Sequence, residues 1–214
     1  MDYKVVEKFV SIDGEGIRTG FPVIFLRFAG CNLKCGYCDS LYANENPVYE
    51  TMNTNQIIRY CNGTGFKRVT VTGGEPLIQP GIIELITKLE DLGYEVNIET
   101  NGAVDISICN ETSIVTMDYK SISSGETEKM LDTNIKYLGT KDVLKFVVGS
   151  KEDLEQMKLV LDTYKPKCSV FVSPVFGNIE PVQIVNFILE NKLKDVRMQI
   201  QIHKIIWAFD KRGV

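Results

Sequence analysis

The sequence has no excess of positive charge: 24 Lys and Arg stand against 28 Asp and Glu, a net charge of −4. A chain that grips nucleic acid through its phosphates regardless of sequence carries a basic excess, so nucleic acid is not an expected partner. No apolar run approaches the ~20 residues that cross a bilayer. The N-terminus, Met-Asp-Tyr-Lys-Val-Val-Glu-Lys, has no apolar core of the kind a signal peptide needs. Those absences lead us to expect a soluble, cytoplasmic chain with no membrane partner. Low-complexity segments and exact repeats are missing, and histidine occurs once, as His203. What is present is an ordinary globular mixture, 44% hydrophobic and 24% charged, in 214 residues. One core serves chains of up to ~250 residues, so a single domain over 1–214 is expected.

Cysteine is not scarce, but its distribution argues against disulfides. Three of the six cysteines fall between Cys31 and Cys38, while Cys61, Cys109 and Cys168 are scattered. In a reducing compartment a tight group reads as a metal site, and the scattered three read as buried or partly buried free thiols.

Short β-branched runs recur along the chain: Pro22–Ala29, Lys67–Thr72, Tyr94–Glu99, Ser113–Met117, Val143–Val148, Cys168–Ser173 and Val196–Ile202. Amphipathic helical patterns lie between most of them. Pro80–Leu92 places Ile82, Ile83, Leu85, Ile86 and Leu89 on one face and stops at Gly93. Lys151–Tyr164 does the same with Leu154, Met157, Val160, Leu161 and Tyr164, behind Ser150 as N-cap. Glu180–Asn191 does so with Val182, Ile184, Val185, Ile188 and Leu189. Strands alternating with helices predict right-handed βαβ units and a mainly parallel sheet. Six or seven units are too few for a closed eight-stranded barrel. An open, partial (βα)6-type barrel fits, as does a doubly wound sheet. In both, function sits at the C-terminal strand ends.

The first of these strands runs into Gly30-Cys31-Asn32-Leu33-Lys34-Cys35-Gly36-Tyr37-Cys38-Asp39-Ser40, a C-x3-C-x2-C loop over 31–38. Three thiolates can hold three irons of a cubane and leave the fourth open to substrate. A zinc site with His203 or Cys61 as a distant fourth ligand is the alternative, but zinc loops come as paired C-x2-C elements. Ferredoxin-type runs supply more cysteines. The next strand ends in Thr72-Gly73-Gly74-Glu75-Pro76, where two glycines allow close backbone approach and a carboxylate follows. Further polar groups fall at later strand ends: Glu99-Thr100-Asn101-Gly102, Asp118-Tyr119-Lys120-Ser121 and Ser173-Pro174. Each alone reads as a cap or turn; together they line one rim.

The C-x3-C-x2-C loop followed by G-G-E-P resembles the radical S-adenosylmethionine (SAM) superfamily. The resemblance implies a 4Fe–4S cluster on Cys31, Cys35 and Cys38, with SAM chelating the open iron. It implies SAM contacts from Gly36, Tyr37, Cys38, Asp39, Gly74, Glu75, Asp118, Tyr119, Lys120 and Ser173. Tyr37 would lie near the adenine, and Glu75 would receive the methionine amino group.

The segment Ser11-Ile12-Asp13-Gly14-Glu15-Gly16, then Gly20-Phe21-Pro22 and Phe25-Leu26-Arg27-Phe28-Ala29-Gly30, is similar to one branch of that superfamily. So are Asp39-Ser40, T-G-G-E-P, E-T-N-G, Ser-Ser-Gly and Gln201-Ile202-His203-Lys204, so the likeness covers nearly the whole chain. That branch contracts 6-carboxy-5,6,7,8-tetrahydropterin to 7-carboxy-7-deazaguanine with loss of ammonia, on the way to 7-deazapurines such as queuosine. The resemblance therefore implies a radical SAM carbon–nitrogen lyase that regenerates SAM. The substrate has a donor edge and a carboxylate. Glu15 and the backbone of Ile12, Asp13 and Gly14 suit the first, and Arg27, with its planar fork of donors, suits the second. Arg27 lies between Leu26 and Phe28 and so points opposite to them, inward if they face out. The resemblance adds Thr72, Gly73 and His203 on the substrate side and assigns Ser40 to Mg²⁺, a cation that accepts neutral oxygens. It also implies a homodimer and an external one-electron reductant of flavodoxin or ferredoxin type. The tail 204–214 is expected to fold back over the rim, anchored by Ile205, Ile206 and Trp207, bringing the α-carboxylate of Val214 to the pterin's donor edge. A glycyl-radical-enzyme activating enzyme would share the cluster loop and G-G-E-P but needs neither E-G-E-G nor Arg27. A noncatalytic Fe–S electron carrier leaves the polar rim unexplained.

Overall fold

The computed structural model describes residues 1–208 and 211–214. Two antiparallel strands missed in the sequence lead the fold: β1 (Asp2–Ile12) pairs with β2 (Pro22–Phe28) on one side and β3 (Glu50–Asn53) on the other. The first expected strand is therefore the second. Helix α1 (Thr54–Thr64), also missed, starts at a reciprocal Asn53/Gln56 capping box and stops at Gly65, whose φ of 77° is left-handed. Its buried face is only Thr54, Ile57 and Cys61, too sparse an apolar stripe to declare a helix.

The remaining elements follow the expected alternation. They are β4 (Arg68–Gly73), α2 (Ile82–Asp91), β5 (Glu95–Thr100), β6 (Ile114–Lys120), β7 (Val143–Val148), α3 (Lys151–Tyr164), β8 (Ser169–Pro174), α4 (Pro181–Glu190), β9 (Val196–Met198) and a short α5 (His203–Ile206). The sheet order is β3-β1-β2-β4-β5-β6-β7-β8-β9, and β2 through β9 are parallel. Its end strands β3 and β9 do not meet, so the barrel is open as expected.

Ser150 caps α3, accepting the Asp153 N–H. The α2 face is buried as predicted at Ile82, Leu85, Ile86 and Leu89. In α4 the expected face is corrected: Ile184 and Phe187 are buried, whereas Val182 and Leu189 are well exposed, at 59% and 69%. The last strand is also shorter than expected. Gln199 N–H still bonds Val172 O at 2.9 Å, and its side chain accepts Gly16 N–H at 2.7 Å and donates to the Thr19 hydroxyl at 2.6 Å.

The core lies between the convex face of the sheet and α1–α4. Leu26, Phe28, Val71, Ile98, Met117, Tyr119, Leu144, Phe146 and Val172 point into it. Alternation along each strand then puts Arg27, Thr72, Glu99, Asp118, Lys120, Lys145 and Ser173 on the other, concave face. No helix among the described residues is long and apolar enough to cross a membrane.

Candidate active site

The cluster loop leaves β2 at Gly30 (φ 90°), which donates to Ala43 O and accepts from Glu75 N. Gly36 N–H is held by Ser124 O at 2.9 Å. Cys31, Cys35 and Cys38 are half-buried free thiols. Burial raises the Cys38 thiol and pushes Cys35 to about 11, against the pull of the Lys120 ammonium; bound iron would deprotonate both. Cys61 and Cys168 are buried and Cys109 packs against the core, none of them in a disulfide, as expected. Cys61 is therefore no fourth ligand. His203 sits against Gly14, where a Cβ would fall 2.1 Å from its Nδ1. Three cysteines on one loop, with no distant partner drawn in, fit an open-site cluster better than zinc.

Glu75 does not present a free carboxylate. It is 1% exposed and accepts Leu77 N–H, the Thr100 hydroxyl and Asn101 N–H at 3.0, 2.9 and 2.7 Å. Its side chain organises the neighbouring strand end through these three bonds. Gly73 and Gly74 do bring backbones close: a Cβ on Gly74 would lie 2.1 Å from Gly30 O.

On β6 the strand period separates three expected SAM contacts. Asp118 and Lys120 pair with each other at 2.8 Å on the concave face. Tyr119 points the other way, stacks near Phe146 with centroids 5.4 Å apart and bonds Asp132. Its side chain belongs to the core, a correction that period two alone would have made. Tyr37 bonds Ser121 and Val147 O, so its ring is fixed beside β6 and β7.

Glu15 sits at the centre of a second group. It accepts from Lys145 Nζ at 2.8 Å, Gln201 Nε2 at 3.0 Å and the Ser173 hydroxyl at 3.1 Å. Burial alone would raise its pKa, but Lys145, Gln201 and His203 bring it below the usual carboxylate range. Ser173, expected on SAM, donates to this carboxylate. Burial lowers His203; His203 opens α5 rather than ending a strand. Lys145 was missed, although a lysine inside Val-Leu-Lys-Phe-Val-Val must face away from the core side of an alternating strand. Glu99 was quoted but given no role; its pKa is raised by burial and by the nearby Asp13 carboxylate, while Thr72 bonds it.

Asp13 is buried in a pair with Arg18 at 2.8 Å and accepts from Thr70 at 2.9 Å. Its side chain joins β4 through Thr70 and the Arg18 guanidinium. Gly14 O already accepts from Ile202 N at 3.3 Å, while Ile12 ends β1 against Pro22.

The third group surrounds Arg27. Its Nε donates to Glu7 at 3.0 Å, and Nη1 lies 3.4 Å from both Ser40 Oγ and Gly73 O. Tyr42 donates to the same Glu7 oxygen at 2.8 Å, and Ser40 donates to Asp39 at 3.1 Å. Lys204 reaches Asp39 at 3.3 Å, and the Arg212 guanidinium lies 3.7 Å from the Tyr42 ring centroid. Residues 209 and 210 of the expected tail lie outside the described residues; Val214 is half-buried.

Comparisons with known proteins agree with this geometry. The Radical SAM superfamily model matches residues 26–115. A 7-carboxy-7-deazaguanine synthase of Clostridium acetobutylicum is 50% identical over all of both chains. One from Methanospirillum hungatei is 38% identical over 95% of this chain and 85% of its own. Among solved structures, QueE from Escherichia coli superposes with a TM-score of 0.77 at 23% identity, over 94% of each chain. Streptococcus suis SuiB bound to S-adenosylmethionine gives 0.56 at 14% identity, over 82% of this chain and 48% of its own.

Proposed function

The chain belongs to the 7-carboxy-7-deazaguanine synthase family, and from that premise we propose how its residues serve the ring contraction of 6-carboxy-5,6,7,8-tetrahydropterin to 7-carboxy-7-deazaguanine. It is a radical SAM carbon–nitrogen lyase, and ammonia is the second product. When bound, the cluster and SAM supply reductive cleavage of a SAM carbon–sulfur bond and the hydrogen abstraction that starts the rearrangement. Cys31, Cys35 and Cys38 hold the cluster, and the concave-face pair Asp118–Lys120, Tyr37 and the Gly73-Gly74 backbone receive SAM.

The observation that carries the assignment is a charge layout on one concave face. Arg27 stands at one place and an ionised Glu15 at another, and the substrate has a carboxylate and a donor edge to match. Arg27 uses Nε on Glu7 and Nη1 on Ser40 and Gly73, which leaves Nη2 to donate to the substrate carboxylate. Glu15 takes three protein donors, and a carboxylate has about four acceptor positions, so one substrate N–H completes it. His203, whose pKa burial lowers, faces the same group.

Ser40 supplies a hard oxygen for Mg²⁺ next to Arg27, with the substrate carboxylate and water as further ligands. Lys204 on Asp39 and Arg212 on Tyr42 support closure of the C-terminal segment over this end of the site. An external one-electron carrier of flavodoxin or ferredoxin type and a second copy of the chain complete the reading.

The test is an anaerobic assay with cluster-loaded protein, dithionite, SAM and the pterin. Formation of 7-carboxy-7-deazaguanine is expected. Release of 5′-deoxyadenosine with no pterin product would reject the substrate, and no SAM cleavage by a loaded cluster would reject the enzyme.

A further inference from the structure

Two amides outside the cysteine loop reach cluster sulfurs. Asn101 Nδ2 lies 3.5 Å from Cys31 Sγ, and Asn44 Nδ2 lies 3.7 Å from Cys38 Sγ. Both are N–H···S contacts, and the orientation of the Asn101 amide is fixed at its other end.

Asn101 is 6% exposed. Its Oδ1 accepts Ala103 N–H at 2.9 Å, so it is the nitrogen that turns to Cys31, where it also donates to Asn32 Oδ1 at 2.8 Å. Its backbone N–H is gripped by Glu75. Asn44 is held differently. Its Oδ1 is buried with no hydrogen-bond partner and lies over Gly74, where a Cβ would come within 2.0 Å of it. Gly74 thus leaves room for the Asn44 amide, and Glu75, next to it in G-G-E-P, grips the backbone of Asn101.

We propose that Asn44 and Asn101 set the reduction potential of the cluster on Cys31, Cys35 and Cys38. This rests on the family reading for the cluster itself. Reduction adds one electron, and part of the added negative charge falls on the cysteine sulfurs. N–H donors stabilise that charge more in the reduced state than in the oxidised state, so they raise the potential. The pattern is uneven. Cys31 also receives Leu33 N–H at 3.4 Å and Cys38 a backbone bond from Ser40. Among the described residues no side-chain amide bonds Cys35, on which the Lys120 ammonium acts instead. Asn44 and Asn101 are positioning residues acting through the ligands, and they can be removed without touching the backbone donors.

The test uses the full chain, reconstituted anaerobically and titrated with dithionite while the reduced cluster is followed by electron paramagnetic resonance. Asn101→Asp keeps the acceptor for Ala103 and the side-chain volume but loses the donor. Asn44→Ala loses its donor together with the unpaired carbonyl. Each is expected to be at least tenfold harder to reduce, about 59 mV for a one-electron couple, at unchanged iron and sulfide content. Asn110→Ala, whose side chain bonds Thr87 and Glu90 away from the cluster, should keep the wild-type midpoint. An unchanged midpoint in the loaded Asn44 and Asn101 variants overturns the proposal. If either variant fails to load, wild-type protein labelled with ¹⁵N-asparagine decides: a ¹⁵N hyperfine coupling to the reduced cluster supports it, and none overturns it. Failure of the wild type to take up any cluster would overturn the family reading and this inference together.

Discussion

Glu15 and Lys145 are 130 residues apart in the chain and 2.8 Å apart in the fold. Neither side chain is more than 14% exposed. Burial by itself pushes both toward their neutral forms, yet the pair outweighs it: Glu15 lies below the usual carboxylate range and Lys145 above the usual amine range. A fixed negative charge is thereby stationed beside His203, Ser173 and Gln201.

Removing one partner should expose that dependence. Lys145→Met leaves Glu15 buried without its cation, at a cost of about 3 kcal/mol or more. Adding Glu15→Gln to the same chain should recover part of the loss. Urea unfolding of the four proteins measures the coupling; additivity within ~0.5 kcal/mol would mean that the two groups do not support each other.

Acid should destabilise the fold in two stages. His203 is lowered by burial, so the unfolded chain takes up its proton near pH ~6.5 before the folded chain does. Stability therefore falls as pH drops through ~6.5 and levels off below the folded value. Glu15 is lowered too, so its contribution is present above its unfolded value of about 4.3 and is lost as pH falls through the folded one. Melting temperatures from about pH 7.5 to about pH 5.5 should slope less in His203→Gln than in the wild type. Equal slopes would contradict the assignment.

Arg27→Ala should separate substrate from cofactor. Loss of a charge-assisted partner for a carboxylate typically costs ~2–5 kcal/mol, so pterin turnover should fall by more than an order of magnitude. SAM cleavage uncoupled from product should continue. A parallel fall in both activities would assign Arg27 to scaffold or SAM.

Alanine at Cys31, Cys35 or Cys38 should abolish cluster loading and SAM cleavage. Alanine at Cys61, Cys109 or Cys168 should leave iron content intact. At Cys61, fully buried on α1, the small cavity should cost about 1 kcal/mol. Iron loss there, with the fold retained, would redraw the ligand set.

Ser40→Ala should raise the Mg²⁺ concentration needed for turnover without changing cluster content. An unchanged Mg²⁺ titration would leave Ser40 as a partner of Arg27 and Asp39 alone.

The sequence by itself determined the cluster loop, the parallel βα alternation and the polar strand ends, because each is a local pattern. Cys31, Cys35 and Cys38 fall within one turn-rich segment, and strand and helix periods differ enough to be read by eye. It could not determine what the polar residues face. The Asp13 carboxylate engages Arg18 and Thr70, and Glu75 accepts from three donors of its own chain. Such engagements depend on which strands become neighbours. β3 is a four-residue edge strand and β1 has apolar positions that do not alternate regularly, so neither shows a clear strand period. Lys145 was legible as an inward-facing lysine, but only the approach of the Glu15 loop to β7 made it part of a site. Tertiary structure decided the pairings among Glu15, Lys145, Ser173 and Gln201, and between the two asparagines and the sulfurs. Hydrogen bonds and ion pairs act over a few ångströms, and only folding brings residues from distant strand ends within that range.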